Sequence, residues 1–156
     1  MNLVISIGKP MFRLTNMSTK NLKNKRNLTL PSEPESINRL EPFLVECHKP
    51  LAKQKKLFYD ILFVLTEAVN NGIIHGNERN PSKKVTVQFF STGKTLNFTV
   101  SDEGRGFNSN SIPDPTHQSR IDEPNGRGVF LMKKIAHKLD FSDNGRRVLI
   151  QFELNK

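Results

Sequence analysis

The chain has 156 residues, 35% of them hydrophobic and 25% charged. That is one domain's length with enough apolar material for a core, and it reads as a soluble globular chain rather than a disordered one. The single cysteine, Cys47, excludes an internal disulfide and suits a reducing compartment, so a cytoplasmic location is expected. Charge breaks the apolar stretches every few residues, so no membrane span is expected. The short run Leu3 to Ile7 has no basic residue before it and makes a poor secretory signal.

The formal net charge is +9. Six basic residues (Lys9, Arg13, Lys20, Lys23, Lys25, Arg26) precede Leu28 with no acidic residue among them, and the chain without this segment carries +3. The basicity therefore belongs largely to a polar leader, residues 1–27, expected to be flexible, with the domain at 28–156. Such a leader attracts acidic partners or nucleic acid. A solvated tail explains it more simply, so direct nucleic-acid binding is not expected. Met11 and Met17 are further candidate starts.

In chain order, Leu28 and Leu30 alternate as in a strand. Ser32 before Pro34 and Glu35 reads as a helix cap. Ile37, Leu40, Leu44 and Val45 recur at helical spacing until about His48, where Pro50 breaks the run. A second, buried helix carries Leu57, Phe58, Ile61, Leu62, Val64, Leu65, Ala68, Val69 and Ile73, and should stop near Gly76. The period then changes to two: Val85, Val87 and Phe89, a Thr92-Gly93-Lys94 turn, then Leu96, Phe98 and Val100, a hairpin. Residues 103–128 read as loop, followed by a short helix to about His137 and two strands around Asp143-Asn144-Gly145. The order predicts α+β: a two-layer sandwich with a mixed, mostly antiparallel sheet covered by helices on one face.

Three clusters interrupt the core pattern with polar groups and glycines. Glu67, Asn71 and His75 are spaced i, i+4, i+8 on the buried helix, so they share one face; an exposed helix face would look the same. Asp102-Glu103-Gly104-Arg105-Gly106-Phe107 follows a strand, where a carboxylate can point into a cleft and glycines allow close approach of a ligand; a plain tight turn uses the same residues. Gly126-Arg127-Gly128 opens the last helix, where backbone N–H groups and the helix dipole favour an anion, or where glycine merely caps a connection. No strand closely precedes that motif and no Walker A pattern occurs, so a dinucleotide-binding or P-loop fold is not expected. Cys47-His48 lacks a companion pair at zinc spacing.

The joint order is more telling than any one cluster. Glu-Ala-Val-Asn-Asn-Gly-Ile-Ile-His-Gly-Asn on a helix, a hairpin ending in Asp-Glu-Gly-Arg-Gly-Phe, and Gly-Arg-Gly before a helix resemble the Bergerat (GHKL) ATP-binding fold of gyrase, histidine kinases and MutL. Within it, Glu67 to Asn77 looks most like the bacterial anti-sigma-factor serine/threonine kinases. The likeness spans about Leu28 to Leu154.

The resemblance implies ATP and Mg²⁺ as ligands. Asn71 matches the magnesium-coordinating asparagine, and Glu67 the glutamate acting as general base. Asp102 matches the carboxylate that accepts from the adenine amino group, with Gly104 and Gly106 making room for the base. Gly126 and Gly128 would receive phosphates, with Arg127 or Arg105 adding charge, and residues 108–125 would form a lid. His75 is either a phosphate neighbour or a helix-end residue. The family's partners are a sigma factor and an anti-anti-sigma protein of the STAS type, and homodimers are a family expectation. Kinases of this group often carry an arginine shortly before the second glycine motif; here that stretch reads Asp122-Glu123-Pro124-Asn125, which puts transfer in question more than binding. Two rivals stay open. One is a non-catalytic, nucleotide-gated anti-sigma or adaptor module. The other is a detached histidine-kinase ATPase domain, against which stands the lack of a preceding coiled-coil hairpin with a phosphoacceptor histidine.

Overall fold

The computed structural model describes residues 23–106 and 124–154. Most of the expected leader (1–22) and most of the expected lid (108–123) lie outside them.

Alternating apolar residues build the sheet. β1 (Lys23–Pro31), β2 (Lys84–Ser91), β3 (Thr95–Asp102), β4 (Lys138–Ser142) and β5 (Arg147–Glu153) lie in the order β1-β2-β3-β5-β4. Every pairing between the described strands is antiparallel, so the sheet is not mixed. Val85, Val87 and Phe89 on β2 and Leu96, Phe98 and Val100 on β3 are all buried and share one face. Phe89 and Phe98 are directly opposed in the register, with ring centroids 5.1 Å apart. β1 starts at Lys23, so Lys23, Arg26 and Asn27, assigned to the leader on charge, pair with β2 across a register shift between Lys23 and Arg26.

The helical layer covers that face. A 3₁₀ turn (Pro34–Arg39) leads into α1 (Leu40–Cys47), and a second 3₁₀ turn (Lys49–Lys53) leads into α2 (Lys55–Asn71). Leu40, Phe43, Leu44 and Cys47 on α1 and Phe58, Ile61, Val64, Leu65, Ala68 and Val69 on α2 join the sheet residues in one core. α3 (Pro124–Ile135) adds Val129 and Met132 to it. This is the two-layer α+β sandwich the sequence implies.

Two expectations change. Ser32 is not the helix cap: its hydroxyl donates to the Lys83 carbonyl at 3.0 Å, and the N-cap position falls to Glu33 without a side-chain cap bond. Tertiary hydrogen bonds at a buried position replaced the local one. The helix at Lys55–Gly76, counting its last turn, is a 22-residue run long and apolar enough to cross a membrane, contrary to the expectation that no stretch approaches a span. Its apolar face lies within the core beside the sheet.

Candidate functional site

Sheet periodicity puts a carboxylate under the end of α2. Leu96, Phe98 and Val100 face the helices, and Asp102 is the next residue on that face, opposite Val85. The strand ends there, so Asp102 lies at the rim of the core, half-buried. Its backbone N–H donates to the Arg146 carbonyl at 3.0 Å. Its Oδ1 accepts the Gly104 N–H at 2.8 Å. Burial raises its carboxyl above the ordinary aspartate range, partly offset by the Gly104 N–H and by the charges of Arg146 and Lys83.

α2 ends above this carboxylate in a π turn, Gly72–Gly76, followed by Glu78 and Arg79 in left-handed conformations. The wide turn is closed by the Asn77 N–H to the Gly72 carbonyl at 2.7 Å. A Cβ on Gly72 would meet Val85 at 3.2 Å and Asp102 at 3.4 Å. A Cβ on Gly76 would sit on the Asp102 carboxyl group, and one on Gly104 on the Gly76 carbonyl. Lacking side chains of their own, the three glycines let helix end, strand end and following loop meet, Gly72 and Gly76 against the Val85 and Asp102 side chains and Gly104 against the Gly76 carbonyl.

The second centre lies a turn and more earlier on α2. Glu67 and Asn71 are half-buried. Neither side chain has a hydrogen-bond partner within the protein among the described residues. α3 packs against α2 here, and a Cβ on Gly128 would lie 2.5 Å from Glu67 Oε2. α3 starts at Pro124, so Gly126, Arg127 and Gly128 fall inside its opening turns rather than in the loop expected to precede it.

The expected residues therefore divide. Asp102 and Gly104 meet the end of α2, and Glu67 meets Gly128. Asn71 lies one helical turn beyond Glu67. His75 and Arg105 are exposed, as is Arg127 on α3. Gly106 has φ +79°, and a Cβ there would sit on the Asn144 carbonyl. It serves the β4–β5 turn by its fit, so that turn already accounts for its lack of a side chain.

Asn77 has a part that sequence reading left unassigned. It is fully buried. Nδ2 donates to Ser32 Oγ at 2.8 Å and to the Lys84 carbonyl at 2.9 Å, and Oδ1 accepts the Glu103 N–H at 2.8 Å. The only signal in the sequence is a polar residue directly after His-Gly at the close of an apolar helix.

A half-buried carboxylate enclosed by glycines thus lies at the end of the helix that carries, one to two turns earlier, an amide and a carboxylate without hydrogen-bond partners among the described residues. Among the described residues no cluster of three or more His, Cys, Asp or Glu side chains could hold a metal alone. A divalent ion here would take most of its ligands from a bound phosphate chain and water, as Mg²⁺ commonly does.

Comparison with known proteins agrees with this geometry. The family profile described as histidine kinase-like ATPase domain matches residues 30–152. An anti-sigma F factor of Clostridium perfringens is 30% identical over 101 residues, covering 62% of this chain and 72% of that protein. One from Shouchella clausii is 27% identical over 124 residues, covering 76% and 82%. One from Thermoanaerobacter pseudethanolicus is 32% identical over 95 residues, covering 59% and 66%. The sheet, the interlocked glycines around Asp102 and the match over residues 30–152 lead to one assignment: the chain belongs to the histidine kinase-like ATPase domain family.

Proposed function

We propose that this chain is an ATP-dependent anti-sigma protein kinase of the cytoplasm, which holds a sigma factor and phosphorylates a serine or threonine of an anti-anti-sigma protein. The observation that carries the nucleotide reading is the contact set of Gly76, Asp102 and Gly104, in which two glycines close on a half-buried carboxylate at the end of α2 where any side chain would collide. The anti-sigma reading draws on the likeness to anti-sigma F factors.

In this reading Asp102 accepts a hydrogen bond from the adenine amino group, which guanine cannot offer at that position. Asn71 turns its amide oxygen to the magnesium that accompanies the triphosphate; Mg²⁺ supplies charge neutralisation of the phosphates. The N-terminal turns of α3, with Gly126, Arg127 and Gly128, favour the negative charge of the phosphate chain. Glu67 receives the proton of the attacking hydroxyl, so that its oxygen bonds to the γ-phosphorus while ADP departs. Positioning and charge carry most of phosphoryl transfer, and the base adds to them.

Calorimetry with Mg-ATP, paired with transfer assays on candidate anti-anti-sigma proteins, tests this. Asn71→Ala should lose Mg-ATP binding, and Glu67→Ala should bind normally and lose transfer. Binding and transfer at wild-type levels in both variants would sink the assignment. Normal binding with no transfer in the wild type, with each candidate partner present, would leave a nucleotide-gated anti-sigma module instead.

A further inference from the structure

We propose that Asn77 is the positioning residue for Asp102, and so sets how sharply the site selects adenine; this rests on Asp102 being the adenine-facing carboxylate. Two successive peptide N–H groups flank the Asp102 side chain. The Asp102 N–H is held by the Arg146 carbonyl at 3.0 Å, and the Glu103 N–H by Asn77 Oδ1 at 2.8 Å. Holding both peptides fixes the backbone dihedrals of Asp102 and with them the direction of its Cα–Cβ bond. The Gly104 N–H then closes on Oδ1, which orients the carboxylate within that direction.

Asn77 is itself tied down. Its Nδ2 reaches Ser32 Oγ and the Lys84 carbonyl, and Ser32 in turn donates to the Lys83 carbonyl. The amide thus joins the end of β1, the start of β2, the exit of β3 and the end of the π turn. Two donations and one acceptance from a single side chain require a carboxamide. A carboxylate cannot donate, and a hydroxyl is too short to span the same partners. The Glu103 carboxylate adds a second brace from the same loop, accepting the Lys84 N–H at 2.6 Å. Buried polar groups of this kind keep one arrangement, because any alternative leaves several of them unpaired.

The test compares Mg-ATP with the Mg complex of purine riboside triphosphate, which lacks the exocyclic amino group. Affinities are measured by calorimetry on the full chain. Damage that merely lowers the folded fraction weakens both ligands by the same factor, so their ratio isolates the adenine contact. Wild type should prefer ATP by about tenfold or more, the range for a hydrogen bond to a charged group. Asp102→Ala should abolish that preference, and Asn77→Ala should bring it close to unity. Asn77→Ser, which fills part of the space without reaching Glu103, should do the same. Ser32→Ala loosens Asn77 on the side away from Asp102; it should lower stability and keep the preference.

Retention of the preference in both Asn77 variants, with its loss in Asp102→Ala, would overturn the positioning role and leave the nucleotide reading intact. A wild type with no preference, or an Asp102→Ala that keeps it, would overturn the adenine reading and this inference with it.

Discussion

Gly128 on α3 and Glu67 on α2 meet so closely that a methyl group on the glycine would lie 2.5 Å from Glu67 Oε2. The nearest other atom of that side chain, Cδ, would be 3.6 Å away. Relief is therefore available by rotating the far end of Glu67, without parting the helices. Gly128 lies within α3, where alanine is favoured over glycine by about 1 kcal/mol. Gly128→Ala should therefore fold at least as stably as wild type and bind Mg-ATP within about threefold of it. Its carboxylate is displaced, so phosphoryl transfer should fall by about tenfold or more, a fraction of what a general base contributes. Urea melts, calorimetry and single-turnover transfer check the three parts. Unchanged transfer would show that Glu67 does not need this position.

Gly76 and Gly104 both close on the Asp102 carboxyl group, and they should fail differently. A Cβ on Gly104 would collide with the Gly76 carbonyl, which is backbone and cannot rotate away. A Cβ on Gly76 would collide with the Asp102 carboxyl group, which can swing. Gly104→Ala should cost about 1–3 kcal/mol, the range for overpacking, and should weaken all nucleotides. Gly76→Ala should cost less stability but lose the preference for adenine. Equal losses from the two in denaturant titrations would count against the geometry.

Asp102 makes the apo protein pay for its ligand site in a pH-dependent way. Burial is the largest influence and raises its pKa in the folded state above the unfolded value of 3.8. A carboxyl raised on folding favours the native state while protonated, and that contribution fades as pH climbs through the folded pKa. Near neutrality the charged, half-buried group is a net cost. Asp102→Asn keeps an oxygen for the Gly104 N–H and removes the charge. Its apo melting temperature should exceed wild type at pH 7, and the gap should narrow as pH falls toward 4. Adenine nucleotides should bind it more weakly. A variant less stable than wild type at pH 7 would mean that the attraction of Arg146 and Lys83 outweighs desolvation.

The sheet was legible because its signal is local. Val85, Val87 and Phe89 against Leu96, Phe98 and Val100 carry their own period, and Asp102 stands out as a charge continuing an apolar series. The buried face of α2 was legible for the same reason. Glycine was read too locally. The sequence marks Gly76 as a helix stop and Gly104 as room for a ligand; neither has a positive φ, and each is small because a distant segment of the chain touches it. Ser32 was misread because Ser before Pro-Glu is a good cap signal, while the partner that displaced that role, Lys83, is 51 residues away. Asn77 closes the helix motif with no local sign of its part, since two of its three partners are 26 and 45 residues distant. Such contacts leave no periodicity to read.

Cys47 offers a reporter of opening that is independent of activity. It is 3% exposed on α1, and burial pushes its thiol up to about 12, with Arg26 pulling it back and Glu46 adding to the rise. At pH 8 the native thiol is protonated and enclosed, so iodoacetamide should react only with molecules in which α1 has opened. Labelling should accelerate with urea in step with the unfolded population. A thiol raised on folding also supports the native state below its unfolded pKa, near 9, and that support is lost as pH rises from there toward 12. Stability should therefore decline over that alkaline range less steeply in Cys47→Ala than in wild type. Mg-ATP at about 100 times its Kd should slow labelling about a hundredfold if α1 opens only with the nucleotide site. Rapid labelling that ignores both urea and nucleotide would show that α1 departs alone, leaving the cradle around Asp102 in place.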